Sequence, residues 1–155
     1  RSDHGESDPL RDPERPAQRG RDAVAVAIGH GAAEFGGHGN VAAIVTALRA
    51  AARLHGGDSD LVAPWFYPTP EEYRAILEAA GFHVERIGLF ARPTPLPTGI
   101  EGWLATFRKP FFDQFGERSG EVLESVVELL RPALCDTAGQ WSADYVRLRV
   151  AARAG

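Results

Sequence analysis

The 155-residue chain contains no methionine and one cysteine, Cys135. Residue 1 is an arginine, so the numbering does not begin at an ordinary translation start, and the expectation is a piece of a longer protein. With one thiol, no intrachain disulfide can form and no Cys-based zinc site can be assembled from this chain. A reducing, cytoplasmic setting is expected. Among the five histidines no pair has the helical i,i+4 ligand spacing, so no metal site is expected. No apolar run reaches the roughly 18 to 20 residues that a membrane-spanning helix needs, and the amino end is charged where a signal peptide is apolar. No membrane segment is expected. Basic residues are in the minority, with 17 Lys and Arg against 21 Asp and Glu for a formal net charge of -4. Phosphate binding needs clustered Lys and Arg, so a nucleic-acid partner is not expected.

What is present is a globular composition, 44% hydrophobic and 25% charged, at a length that suits one domain with one core. Residues 1-22 carry eleven charges and Leu10 as the only large apolar side chain. Such a segment cannot bury enough surface to offset its ordering entropy, so it reads as a disordered or non-native leader. Residues 23-155 then form the domain.

Ala23 to Ile28 could form a short strand, and Ala32 to Phe35 could extend it or form another. From Asn40 the pattern turns helical, with Val41, Ile44, Val45, Leu48 and Ala52 on one face and Gly56-Gly57 as the stop. Thr69-Pro70-Glu71-Glu72 is a capping box opening a second helix, with Tyr73, Ile76, Leu77 and Ala80 as its buried stripe and Gly81 as its end. Phe82 to Phe90 reads as a strand whose apolar residues change phase near Glu85-Arg86, which predicts a bulge. Pro93, Pro95 and Pro97 argue against regular structure over Arg92 to Gly99. Two short helices, Ile100-Phe107 and Phe111-Phe115, are predicted next. A longer helix covers Gly120 to Leu130, and Pro132 discourages its continuation. In Asp144 to Ala152, Val146, Leu148 and Val150 alternate with polar residues as in a half-buried strand. Helices and strands alternate, so the fold class is α/β.

Six stretches carry a resemblance. They are Glu34-Phe35-Gly36-Gly37-His38-Gly39-Asn40-Val41, Tyr67-Pro68-Thr69-Pro70-Glu71-Glu72-Tyr73, Ala80-Gly81-Phe82, Arg92-Pro93-Thr94-Pro95-Leu96, Gly99 to Trp103, and Gly139-Gln140-Trp141 with Asp144-Tyr145-Val146-Arg147-Leu148. In this order and spacing the chain resembles the trans-aconitate-methyltransferase-like group of class I S-adenosylmethionine-dependent methyltransferases, over about residues 34-152. The resemblance implies the C-terminal part of a Rossmann-like methyltransferase sheet. The segment near Phe35 would end the fifth strand, Phe82 to Phe90 would be the sixth, and Asp144 to Ala152 the antiparallel seventh. It also implies that the methyl donor sits on a glycine-rich turn after the first strand and an acidic residue after the second, both upstream of residue 34. Arg1 to Ala33 does not look like those elements, as a misplaced or frame-shifted start would explain.

The residues with chemical potential each carry a plain alternative. Gly37-His38-Gly39-Asn40-Val41-Ala42 fits G-x-G-x-x-[GA], which could bring backbone N-H groups to a phosphate, but a tight strand-to-helix turn explains it as well. The resemblance makes Phe35, Gly36, Gly37 and Gly39 a loop near the cofactor. His38 and Asn40 sit where α/β sheets face their ligands; Asn40 could instead cap the following helix. Trp65, Tyr67 and Trp103 are candidates for a substrate wall or for core, and Arg92 for an anionic substrate or an ordinary ion pair. Trp141 is expected beside the last strand. No residue stands out as catalytic.

For the parent protein the expectation is methyl transfer from S-adenosylmethionine to a small-molecule acceptor, a direct displacement in which positioning supplies much of the rate. The chain alone is expected to be inactive. A noncatalytic α/β interaction module and, further down, a nucleotide-binding protein are the alternatives. The sequence carries no signal for an oligomeric state.

Overall fold

The computed structural model describes residues 31-155; the expected leader over 1-22 and the possible strand Ala23 to Ile28 lie outside the described residues. Strand β1 (Gly31–Gly36) leads through a turn into helix α1 (Ala42–His55), a 3-10 turn at Ser59–Leu61 and helix α2 (Pro70–Ala79). Strand β2 (Phe82–Ala91) and the two-residue β3 (Thr94–Pro95) follow. Helices α3 (Gly99–Phe107), α4 (Lys109–Asp113) and α5 (Ser119–Leu134), the last preceded by a 3-10 turn at Gly116–Arg118, lead to β4 (Ser142–Ala143) and β5 (Val146–Ala154).

The main sheet has the order β1-β5-β2, with β5 antiparallel to both neighbours. β1 and β2 are therefore parallel to each other, with the last strand of the chain between them. A second, two-stranded sheet pairs β3 with β4. The α/β class is as the sequence implies.

The apolar side chains collect in two places. Helices α1, α3, α4 and α5 bury Ile44, Leu48, Leu104, Phe111, Val126 and their neighbours against one another. Helix α2 lays Tyr73 and Leu77 on one face of the main sheet, over Val84, Leu148, Val150 and Ala152. Fully burying one such aliphatic side chain is worth about 1.5 to 3 kcal/mol.

Local chemistry explains most boundaries. Thr69 Oγ1 accepts the Glu72 N-H at 3.2 Å while Glu72 Oε2 accepts the Thr69 N-H at 2.8 Å, so the capping box closes from both sides. Gly56 ends α1 in the left-handed conformation that glycine adopts without Cβ strain. The register of β2 against β5 shifts between Val84 and Arg86, where the apolar pattern changes phase.

Several expectations need correction. The Pro-rich segment after Arg92 forms β3, because Thr94 and Pro95 find partners in Ala143 and Ser142; β-edge geometry tolerates a proline's fixed φ and missing N-H. Helix α5 runs through Pro132 to Leu134. Close to a C-terminus a proline costs only one bond of the ladder, and the turn still closes through Cys135 N-H to Arg131 O at 3.1 Å. Asp144 and Tyr145 lie before the last strand rather than in it. Trp141 pairs with Cys135 and packs against the helical cluster, with the Arg131 guanidinium 5.5 Å from its ring centroid. Asn40 is not a helix cap: Val41 holds the N-cap position of α1 at φ 50°, without a side-chain cap bond.

Candidate functional site

The candidate site lies where β1 ends and the chain turns into α1. At Gly37 the turn binds back to the sheet, its N-H donating to Val146 O at 3.0 Å. His38 N-H then donates to Pro68 O at 2.9 Å, Asn40 N-H to Gly37 O at 3.0 Å and Val41 N-H to Asp144 O at 3.0 Å. Ala42 N-H reaches Gly39 O at 3.2 Å. Ala43 N-H reaches Asp144 Oδ2 at 2.8 Å. The first helical amides that would greet a phosphate are thus satisfied within the protein, the last by the carboxylate an anion would have to displace.

At Gly36 and Gly37 the space of the missing side chain is taken up by protein. A Cβ on Gly37 would collide with Leu89 and stand 2.8 Å from Leu148 Cβ, and one on Gly36 would stand 2.5 Å from Tyr67 Cε1. These glycines let protein approach protein. Only Gly39 is needed for its backbone angle, at φ 83°. Gly36 and Gly37, in the loop that the resemblance places near S-adenosylmethionine, are thus packed against protein.

Asn40, 5% exposed, holds the site together. Its Oδ1 accepts the Val146 N-H at 2.8 Å, and its side-chain amide bonds the Tyr67 hydroxyl. Burial pushes the Tyr67 phenol above its ordinary value, against the lowering effect of the Asn40 bond. Tyr67 therefore remains a neutral hydroxyl.

The Tyr67 ring stacks on Trp65 with centroids 5.7 Å apart, and Trp65 meets Trp103 edge-on at 6.3 Å. Trp103, 6% exposed, donates its indole N-H to the Tyr145 hydroxyl at 2.7 Å. Below Trp65 the Arg108 guanidinium lies 4.3 Å from the ring centroid, a cation-π distance. Arg108 is 6% exposed and its Nη1 donates to Leu61 O and Val62 O, both at 3.0 Å. Loss of hydration lowers its pKa.

The structure thus gathers Gly36, Asn40, Trp65, Tyr67 and Trp103 into one wall. His38 is exposed on the turn beside it. Phe35 points to the α2 side of the sheet, with its ring 4.8 Å from that of Tyr73. Arg92 donates its backbone N-H to Tyr145 O at 2.7 Å, but its side chain is committed to Glu34 Oε1 at 2.8 Å.

Three participants escaped the sequence reading. Asp144 caps α1 from the far end of the chain, with its Oδ1 buried and without a hydrogen-bond partner. Burial raises its pKa, more than the Ala43 N-H bond lowers it. Arg108 and Tyr145 complete the aromatic wall. Their signal was faint: an arginine between helices and an Asp-Tyr pair before a strand look like ordinary surface. Among the described residues no group of His, Cys, Asp and Glu could hold a metal ion.

No protein-family model matches the chain. It is 34% identical over 123 residues to a Schizosaccharomyces pombe protein named uncharacterized methyltransferase C70.08c, a match that takes in 77% of this chain and 47% of that protein. The chain spans about half the length of this curated relative. No helix among the described residues is long and apolar enough to cross a membrane.

Proposed function

We propose that the chain is the acceptor-side, C-terminal part of a class I methyltransferase of the trans-aconitate-methyltransferase-like group, whose parent protein moves a methyl group from S-adenosylmethionine to a small molecule. The observation that carries this reading is the sheet order β1-β5-β2 with an antiparallel centre. The last strand is antiparallel, as the resemblance implies for the seventh, and the relative named a methyltransferase points the same way. The donor is held chiefly by residues other than those of the turn after β1, where the N-H groups of Gly37, His38, Asn40 and Val41 are already bonded.

The residues here act on the acceptor. Trp65 and Tyr67 shape and dry its side of the crevice, His38 is the exposed polar group at the rim, and Asn40 keeps the Tyr67 hydroxyl in place. Tyr67, neutral because it is buried, donates or accepts a hydrogen bond rather than serving as a base. The partner is a small molecule, and the setting is cytoplasmic.

The test is a chimera in which this chain replaces the matched part of the S. pombe relative. Micromolar binding of S-adenosylmethionine, and transfer of labelled methyl to small-molecule acceptors, are expected. A folded chimera without donor affinity, beside a parent relative that has it, overturns the proposal. The interaction-module alternative rests on the side of β1 that has no partner strand among the described residues.

A further inference from the structure

Helices α1 and α5 lie side by side and antiparallel. At one end His55 Nε2 stands 3.1 Å from Ser125 Oγ, and at the other Ala42 and Ala43 share a groove with Ala133. The groove holds about 360 Å³ and is open among the described residues. Ala43, Ala47 and Ala50 form its α1 side, and Leu129, Leu130 and Ala133 its α5 side. Leu129 on its rim is 50% exposed, and Leu54, one helical turn beyond Ala50, is 71% exposed. Two large apolar side chains thus stand in water along an apolar hollow, a contiguous feature of the kind that marks an interaction surface.

Charge is sorted across this groove. On α1, Arg49 and Arg53 are exposed, and neither has an ion pair among the described residues. On α5, Glu121, Glu124 and Glu128 are exposed. Glu128 stands 2.9 Å from Arg131 and Glu121 3.5 Å from Arg118; these are exposed pairs, which exchange partners at little cost. Glu124 has no ion pair among the described residues. The antiparallel packing fixes the levels: with 55 beside 125 and 43 beside 133, position 49 stands level with about 128 and position 53 with about 124, on the helical rise.

We infer that the α1–α5 face is a self-association surface and that its occupant is a second copy of this chain. Two copies laid face to face are related by a two-fold axis, so the surface must complement itself. An axis across the helices would set arginine over arginine and glutamate over glutamate. An axis along the groove sets α1 of each copy over α5 of the other and keeps the levels. Arg49 then meets Glu128 of the other copy, Arg53 meets its Glu121 and Glu124, and Leu129 lies over its Ala47 and Ala50. Helices of 14 and 16 residues side by side offer roughly 500 Å² on each copy, from the helix rise and diameter. An interface of that size belongs to the weak, exchanging class.

Sedimentation equilibrium of the full chain, 16.7 kDa as a monomer, is the test. A monomer–dimer equilibrium with a dissociation constant on the order of tens of micromolar is expected, weakened by added salt. Leu129→Ser, Arg49→Glu and Glu128→Arg should each weaken it at least tenfold and leave the circular dichroism unchanged, since all three positions are exposed. An equal mixture of the Arg49→Glu and Glu128→Arg chains should dimerise again, because the like charges facing each other in either variant's own dimer become opposite ones. Ala50→Trp fills the groove without touching a charge and should also hold the chain monomeric. A chain that stays monomeric up to about 1 mM overturns the inference, whether the groove is then filled by residues 1-30 or left open. So does a dimer indifferent to Leu129→Ser and Ala50→Trp, or a mixture that associates no better than its two components.

Discussion

Asn40 Oδ1 accepts the backbone N-H of Val146 at 2.8 Å, joining the turn after β1 to the start of β5 across 106 positions of sequence. The bond is part-buried and the Asn40 side chain also satisfies Tyr67. Asn40→Ala leaves the Val146 N-H without its acceptor, and a loss of about 1 to 3 kcal/mol is expected from urea unfolding. Tyr67→Phe keeps the Val146 bond and removes only the hydroxyl, so its cost should be about 1 kcal/mol. Equal costs for the two variants would contradict this division of labour.

The two glycines of the turn should fail in different ways. Gly37→Ala puts a methyl group against Leu89 and Leu148, and overpacking of this kind costs about 1 to 3 kcal/mol. Gly39 has only Val146 Cγ2, at 3.8 Å, near its absent Cβ. Gly39→Ala therefore meets the left-handed φ penalty alone, about 1 to 2 kcal/mol. A cavity-making partner, Leu89→Ala, should relieve Gly37→Ala and leave Gly39→Ala untouched in a double-mutant comparison.

Asp144 gives a pH signature. Burial raises its folded pKa above the unfolded value, so the folded chain binds this proton more tightly. The stability that the group contributes is present below the unfolded pKa and is lost as pH rises through the folded one, a fall beginning near about pH 4. Glu34, held below the usual carboxylate range by Arg149 and Arg92, works with the opposite sign: its contribution is lost as pH falls. Comparing urea midpoints of the chain and Asp144→Asn between about pH 4 and 7 isolates the first term. The variant should lose less stability with rising pH; parallel curves would contradict the assignment.

The capping box offers a simpler check. Thr69→Ala removes the acceptor for the Glu72 N-H, and about 0.5 to 2 kcal/mol should be lost. The segment Trp65 to Pro68 reaches α2 through Thr69, so the same change should raise hydrogen exchange there.

Wherever a feature was written in neighbouring residues, the sequence was legible. The capping box at Thr69, the stop at Gly56 and the bulge at Val84–Arg86 each follow from a local pattern, and each is present. Features made by distant partners were not legible. Asn40 looked like a cap because asparagine favours that position; Val146, far along the chain, took its oxygen instead. The actual cap is Asp144, which no spacing rule connects to Ala43. The strand at Thr94–Pro95 exists because Ser142–Ala143 lies beside it, a fact that three prolines concealed. At the candidate site the structure brings together Trp65, Tyr67 and Trp103, which the sequence singles out, whereas Arg108 beneath Trp65 carries no signal in its neighbours.

The central claim is that the glycine turn after β1 is a joint of the fold, the amides of Gly37, His38, Val41 and Ala43 spent on Val146, Pro68 and Asp144, and that the methyl donor is bound chiefly by other residues. Calorimetric titration of S-adenosylmethionine, and of its demethylated product, into the purified chain tests this most directly, after circular dichroism has shown the chain folded. The account predicts no binding heat from either ligand. One-to-one binding at micromolar affinity, abolished by Gly39→Val without loss of fold, would contradict it and make the turn a donor cradle.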